Sequence, residues 1–270
     1  MSATVLLIGC GNMGYALLSG WRAQDQTLRI FVVEPVDALR ERAAGTGAAV
    51  AATLDALPPD VAPDLVVLAV KPVGVIPALG DCARFAGTAA FLSVAAGVRL
   101  SSMAAALPGG ASVIRCMPNT PAAIGEGMMA LCAAPAAAAP ARALAERLMS
   151  GSGATVWIED EAQMDAVTAI SGSGPAYVFL FIEALTEAGK ALGLPGDTAA
   201  TLALETVAGA ALYARRSDQD PGTLRRQVTS PNGTTAAALD ILMDRGRMAE
   251  LVAEAARAAQ DRSIQLGKDT

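Results

Sequence analysis

Apolar and polar positions follow two different rhythms along this chain. Over roughly the first 160 residues, short apolar runs alternate with amphipathic stretches. The runs read as buried strands: Val5–Ile8, Arg29–Glu34 (RIFVVE), Ala48–Ala51, Asp64–Pro72 (DLVVLAVKP), Ala89–Ala96 (AAFLSVAA) and Ser112–Cys116. Their middles are apolar without alternation, as expected of parallel strands covered on both faces. Met128–Ala133 and Thr155–Ile158 read as further edge strands. Helical periodicity fills the intervals at Pro35–Gly45, Val73–Phe85, Leu100–Leu107 and Ala136–Ser150. A strand–helix alternation of this kind predicts a doubly wound α/β layer structure.

Past residue 160 the strands stop. Helices are predicted over Asp160–Ile170, Ala176–Leu192, Pro195 to about Arg216, Pro221–Thr229, Ala236–Asp244 and Arg247–Gln265. Two polar, glycine-containing breaks interrupt them, SGSGP at 171–175 and SPNGTT at 230–235. The helix ending near Arg216 is built of Ala, Leu, Thr and Val and is too apolar for a solvated surface. An intertwined homodimer is the expected way to cover it. The domains expected are therefore 1–160, α/β, and 161–270, all-helical.

Composition narrows the chemistry. The chain has 270 residues, 53% hydrophobic and 17% charged, with a net charge of −6. That is ample core material, and without a Lys/Arg cluster it points away from nucleic acid. There is no histidine, and Cys10, Cys82, Cys116 and Cys132 are scattered, so no metal site is expected and Ser-His or Cys-His catalysis is excluded. Scattered cysteines suit a reducing compartment. The N-terminus enters a strand at once and no uncharged apolar run reaches about 18 residues, so a soluble cytoplasmic protein without a membrane span is expected.

Between the first strand and its helix lies Gly9-Cys10-Gly11-Asn12-Met13-Gly14, a G-x-G-x-x-G turn. In a dinucleotide site the first glycine permits the turn, the second lets the pyrophosphate approach and the third lets helix and strand pack. Three glycines also make ordinary turns; the flanking strand and helix favour the site, and with it a Rossmann-type fold. Glu34 ends the second strand 20 residues after Gly14, where an acid can accept from the adenosine ribose and disfavour a 2′-phosphate. A solvated strand-end charge is the alternative. The nearest arginines, Arg40 and Arg42, fall on the next helix. Lys71, before Pro72, either faces a cofactor or only solubilises a strand end. The polar loop from Met117 to Gly127, with Asn119 and Thr120 between prolines, either holds a nicotinamide ring or simply connects.

The two breaks in the helical half each precede a helix. Their hydroxyls and free N–H groups suit a carboxylate, although Ser173 or Thr234 capping its helix would explain one break alone.

The segments RCMPNTPAAIGEGM (Arg115–Met128), DAVTAISGSGPAYVF (Asp165–Phe179) and VTSPNGTT (Val228–Thr235), with VLAVKP and SVAAGV at 67–72 and 93–98, resemble the signatures of the pyrroline-5-carboxylate reductase family. The resemblance covers essentially the whole chain. It implies NAD(P)H-dependent reduction of 1-pyrroline-5-carboxylate to L-proline by a homodimer, alone or as a larger ring of dimers. It further implies that Ser230, Gly233 and Thr234 hold the substrate carboxylate and that Thr235, as the catalytic residue, hydrogen-bonds the ring nitrogen and relays its proton. Glu161 is a weaker candidate for the ring side. Cofactor contacts map to Gly9, Gly11, Asn12, Met13, Gly14, Glu34, Lys71, Pro72, Ala95, Ala96 and Asn119. The cofactor is NADPH or NADH, with Glu34 leaning towards NADH. Asn232 stands where members of the family often have glycine, and since Asn tolerates the left-handed region the turn is expected to survive. Alternatives are a reductase of a six-membered cyclic imino acid and a non-catalytic dinucleotide-binding regulator.

Overall fold

A computed structural model of the chain describes residues 3–268. Eight strands form one sheet: β1 (Thr4–Ile8), β2 (Arg29–Val33), β3 (Ala49–Ala51), β4 (Leu65–Leu68), β5 (Ala90–Ser93), β6 (Val113–Met117), β7 (Gly127–Ala133) and β8 (Gly153–Trp157), in the order β3-β2-β1-β4-β5-β6-β7-β8. From β3 to β6 every pairing is parallel. β7 runs antiparallel to β6, and β8 is parallel to β7. Of the two strands expected at edges, β8 is one, at the opposite end of the sheet from β3; β7 lies inside the sheet because β8 pairs on its far side.

The parallel strands are apolar throughout because the pleat sends successive side chains into two cores. Val5, Leu7, Leu65, Val67, Leu92 and Ile114 join one cluster with Leu17, Trp21 and Leu148. Those last three come from α1 (Asn12–Gln24) and α5 (Ala139–Met149). Leu6, Val66, Leu68, Phe91 and Val113 join the other with Val75, Leu79 and Met103. These come from α3 (Pro72–Asp81) and α4 (Leu100–Ala105). Burying one such Leu or Val stabilises the fold by about 1.5–3 kcal/mol. α2 (Asp37–Ala44) leads from β2 to β3. The chain runs β1–β2–β3 in one direction, then crosses to β4 on the other side of β1. The switch point this creates lies outside the C-terminal ends of β1 and β4, which is where open α/β sheets bind ligands.

By internal contacts the chain forms two units. Residues up to Ser173 and from Ala259 onward make the first, and Gly174–Ala258 the second. In the first, α6 (Met164–Val167) runs directly into a π turn at Thr168–Gly172. The SGSGP segment, expected to break the helix, therefore does not: Ser173 N–H reaches the Thr168 carbonyl at 2.8 Å and α7 (Gly174–Ala191) follows at once. Helical bonding there engages backbone that a free terminus would expose, and Pro175 has no N–H to offer. In the same unit Ser263 Oγ donates to Asp165 Oδ1 at 2.6 Å.

The second unit holds α7, α8 (Gly196–Arg216), α9 (Pro221–Gln227), α10 (Thr234–Met243) and the first part of α11 (Arg247–Leu266). α7 and α10 bury no residue, and α8 buries only Ala199 and Ala203. Phe179 is 57% exposed, Leu180 64%, Leu202 52% and Tyr213 60%. The span Glu161–Ala191, which includes charged residues, is long and apolar enough, by length and composition alone, to cross a membrane. Its beginning is nonetheless part of the α/β core, where Met164 is fully buried and Ala169 nearly so.

Candidate active site

Five chain segments leave the C-terminal ends of β1, β2, β4, β5 and β6 carrying the predicted cofactor residues. The three glycines each meet a distinct demand. Gly9 has φ +85°, and a Cβ there would lie 2.8 Å from the Ala69 carbonyl oxygen, in the segment leaving β4. A Cβ on Gly14 would lie 2.4 Å from the Gly9 carbonyl oxygen. A Cβ on Gly11 would meet nothing within 4 Å, so that backbone is open to a ligand. Gly11 is also the N-cap of α1, and Asn12 and Met13 open the helix. The first N–H groups of α1 thus have no intrahelical acceptor and favour an anion. A dinucleotide pyrophosphate fits this cradle.

Glu34 follows β2 and is 5% exposed. Its carboxylate accepts from Cys10 N–H at 2.7 Å (Oε2) and from Val36 N–H at 2.9 Å (Oε1). The acid is therefore a bridge between the glycine turn and the start of α2, not the solvated charge of the alternative reading. Arg42 completes this arrangement. Its Nη2 donates to the Cys10 carbonyl at 2.9 Å and the Gly11 carbonyl at 3.2 Å, and its guanidinium lies 4.2 Å from the Tyr15 ring centroid. The sequence signalled Arg42 only as a nearby cation, because nothing in the linear pattern says which face of α2 it leaves from. Arg40 is occupied at the start of α2 by the carbonyls of Glu34 and Pro35 and by Asp37.

Lys71 is exposed as the N-cap of α3, with Pro72 as the first helical residue. Ala95 is buried, its N–H donating to Ser93 Oγ at 3.2 Å, and Ala96 is half-buried beside it. Asn119 braces its loop with both ends of its amide. Oδ1 accepts from Met128 N–H at 2.8 Å and Nδ2 donates to the Ser171 carbonyl at 3.2 Å. The predicted loop contains a 3-10 turn, Thr120–Ile124, closed by Gly125 at φ +76°.

Glu161 is half-buried and engaged through one oxygen. Its Oε1 accepts from Arg115 Nη1 and from Leu100 N–H, each at 2.8 Å. Arg115 is 5% exposed, so this carboxylate neutralises a buried cation of the α/β unit. Both of these bonds fall on the same oxygen, so half of the Glu161 carboxylate is committed to the α/β unit. The four cysteines are free and buried. Burial, above all, pushes the Cys10 thiol up to about 11, with Arg42 opposing and Glu34 adding to the rise. Among the described residues no group of three or more His, Cys, Asp or Glu could hold a metal ion.

In the helical unit, the Gly233 N–H donates to the Ser230 carbonyl at 3.1 Å and Asn232 has φ +57°. With Pro231 between them this is the pattern of a type II turn, and Asn232 adopts the left-handed conformation expected of it. Gly233 is the N-cap of α10, with Thr234 and Thr235 as its first residues. Among the described residues neither the Thr234 nor the Ser173 side chain makes a capping hydrogen bond. Nearby hydroxyls turn back on their own helix: Thr223 to Asp220 and Thr229 to the Arg225 carbonyl, both at 2.6 Å. Those of Ser230, Thr234 and Thr235 make no hydrogen bond among the described residues. Three residues with uncommitted hydroxyls thus stand in sequence at or just before one helix start, a set that can accept a carboxylate and still present a donor.

The glycine cradle and the three-layer α/β unit define the class: a dinucleotide-dependent oxidoreductase. Residues 161–266 match the family model described as pyrroline-5-carboxylate reductase dimerisation. Residues 4–97 match the model described as NADP oxidoreductase, coenzyme F420-dependent. The chain is 42% identical to the pyrroline-5-carboxylate reductase of Pseudomonas aeruginosa, covering 98% of this chain and 97% of that protein. It is 38% identical to that of Mycobacterium leprae, with 98% and 97% covered. The solved pyrroline-5-carboxylate reductase of Coxiella burnetii superposes with a TM-score of 0.89 at 33% identity over 98% of this chain and 99% of that one. The Plasmodium falciparum pyrroline carboxylate reductase, solved with NADP bound, superposes with a TM-score of 0.83 at 28% identity over 98% of each chain. The chain belongs to the pyrroline-5-carboxylate reductase family.

Proposed function

We propose that this chain reduces 1-pyrroline-5-carboxylate to L-proline with NADPH or NADH, the last step of proline biosynthesis. The observation that carries the reading is the start of α10. Ser230, Gly233 and Thr234 surround an N–H cradle suited to the substrate carboxylate, while the Thr235 hydroxyl has no competing partner in its own helix. In this reading Thr235 donates a hydrogen bond to the ring nitrogen and passes on a proton from water, because a threonine is too weak an acid to act alone. Gly9, Gly11, Asn12, Met13 and Gly14 hold the pyrophosphate; Lys71, Pro72, Ala95, Ala96 and Asn119 form the walls further along the sheet. The chemistry the bound dinucleotide supplies is hydride transfer to the imine carbon. The residues contribute mainly placement, holding the two reactants in contact.

Glu34 supports a lean towards NADH: its carboxylate puts negative charge where a 2′-phosphate would sit and takes the Val36 N–H at the start of α2. The uncovered faces of α7 and α8 support a homodimer in the cytoplasm in preference to a membrane span, since the first part of the span belongs to the core of the α/β unit.

The test is NAD(P)H oxidation followed at 340 nm with pyrroline-5-carboxylate and with its six-membered homologue. Turnover with higher kcat/KM on the five-membered ring is expected. No turnover with either cofactor overturns the proposal.

A further inference from the structure

The glycine turn is held from behind by two side chains whose geometry decides which way its peptides face. Every peptide bond here is trans, so the carbonyl of one residue and the N–H of the next point in opposite directions. Arg42 draws the Cys10 carbonyl inward, which turns the Gly11 N–H outward. It also draws in the Gly11 carbonyl, shared with the Tyr15 N–H at 2.9 Å, and this turns the Asn12 N–H outward. Glu34 acts with the opposite sign one peptide earlier. It takes the Cys10 N–H, and the Gly9 carbonyl is sent towards Gly14. Three consecutive peptides are thereby oriented by one cation and one anion.

From this geometry we propose that Arg42 is a positioning residue of the dinucleotide site. It holds the Gly11 and Asn12 N–H groups aimed at the pyrophosphate without touching the cofactor. Its guanidinium is fixed for this by the Tyr15 ring, a stacked geometry that an ammonium does not reproduce. The role differs from that of a ribose-reading residue. The pyrophosphate is common to NADH, NADPH and ADP-ribose, so all three must depend on Arg42 alike. The inference rests on the dinucleotide reading of the glycine turn.

The experiment compares the full-length wild type with Arg42→Met and Arg42→Lys. Calorimetry gives Kd for NADH, NADPH and ADP-ribose; kinetics give KM and kcat; a thermal melt monitors the apo fold. Losing two charge-assisted hydrogen bonds to the turn is expected to raise all three Kd values in Arg42→Met by about tenfold. The NADH/NADPH ratio should stay constant, the cofactor KM should rise with Kd, and kcat should hold within about twofold. Arg42→Lys should fall between wild type and Arg42→Met, and it carries the test alone if Arg42→Met does not fold. Unchanged ADP-ribose affinity in whichever variants fold overturns the proposal, as does a loss confined to one of the two cofactors. Failure of the wild type to bind ADP-ribose or either cofactor would instead overturn the dinucleotide reading itself.

Discussion

Arg115 and Glu161 form a 2.8 Å ion pair across 46 positions of sequence, and the arginine is nearly buried. The Glu161 oxygen that accepts from Arg115 also accepts the Leu100 N–H at the start of α4. Removing the acid leaves a buried cation without its partner, which costs about 2–3 kcal/mol at this partly screened site. Glu161→Ala should therefore lower the melting temperature by about 5–10 °C. The KM for substrate should be unchanged. A substrate KM raised severalfold with no thermal loss would instead assign Glu161 to the substrate site.

Thr235→Ala removes the hydroxyl assigned to the imine nitrogen and leaves the backbone of α10 in place. Turnover should fall by about 10²–10³-fold, in the range of a lost positioned proton donor. Cofactor Kd should stay the same, since the glycine cradle lies in the other unit. Thr235→Ser should recover much of the rate. Wild-type turnover in the alanine variant would dismiss the relay.

Glu34→Ser should shift the kcat/KM ratio towards NADPH by about tenfold, because the carboxylate that opposes a 2′-phosphate is gone. The same change deprives the Cys10 N–H of its acceptor. Affinity for NADH should accordingly fall as well, so the ratio is the quantity to read. An unmoved ratio would confine Glu34 to bracing the turn.

The buried thiols make alkaline pH a test of packing. Burial pushes Cys10 and Cys82 from their ordinary value of 9.0 up to about 11, and Cys116 and Cys132 shift in the same direction for the same leading reason. A thiol held protonated by the fold binds more protons folded than unfolded once the pH exceeds 9.0. Its contribution to stability is therefore intact below about pH 9 and is lost as pH rises towards 11. Melting temperatures in reducing buffer should be flat, as far as the thiols go, between pH 7 and 8.5 and fall beyond pH 9. Cys82→Ala should fall less steeply.

Most of the α/β layer could be read from the chain because its strands are buried on both faces. Runs such as Leu65–Leu68 admit hardly any other environment, and the glycine turn is pinned by sterics at Gly9 and Gly14. What stayed hidden depends on partners distant in sequence. The ion pair of Glu161 gave no sign because Arg115 lies 46 positions earlier, and β7 looked like an edge because β8 follows it only after α5. The SGSGP segment has every local mark of a break. Helical bonding continues through it nonetheless, since Ser173 reaches one residue further back than an α-helix requires. At the other break, the type II turn at Ser230–Gly233 was legible, because Pro then Asn in the middle positions is itself a backbone instruction. Arg42 was visible as a charge, but its acceptors are carbonyls, which leave no trace in a sequence.

The exposed apolar residues of α7 and α8 have a consequence for how the protein must be handled. If a second copy covers them, folding and association are one equilibrium, and protein concentration enters the free energy as temperature and denaturant do. Melting temperature would then rise with dilution reversed, by a fixed step per tenfold of protein. An assay run far below the dissociation constant would measure a population depleted of the helical unit. Activity lost on dilution would then be a property of the stock, recoverable by concentration, and no sign of a damaged site.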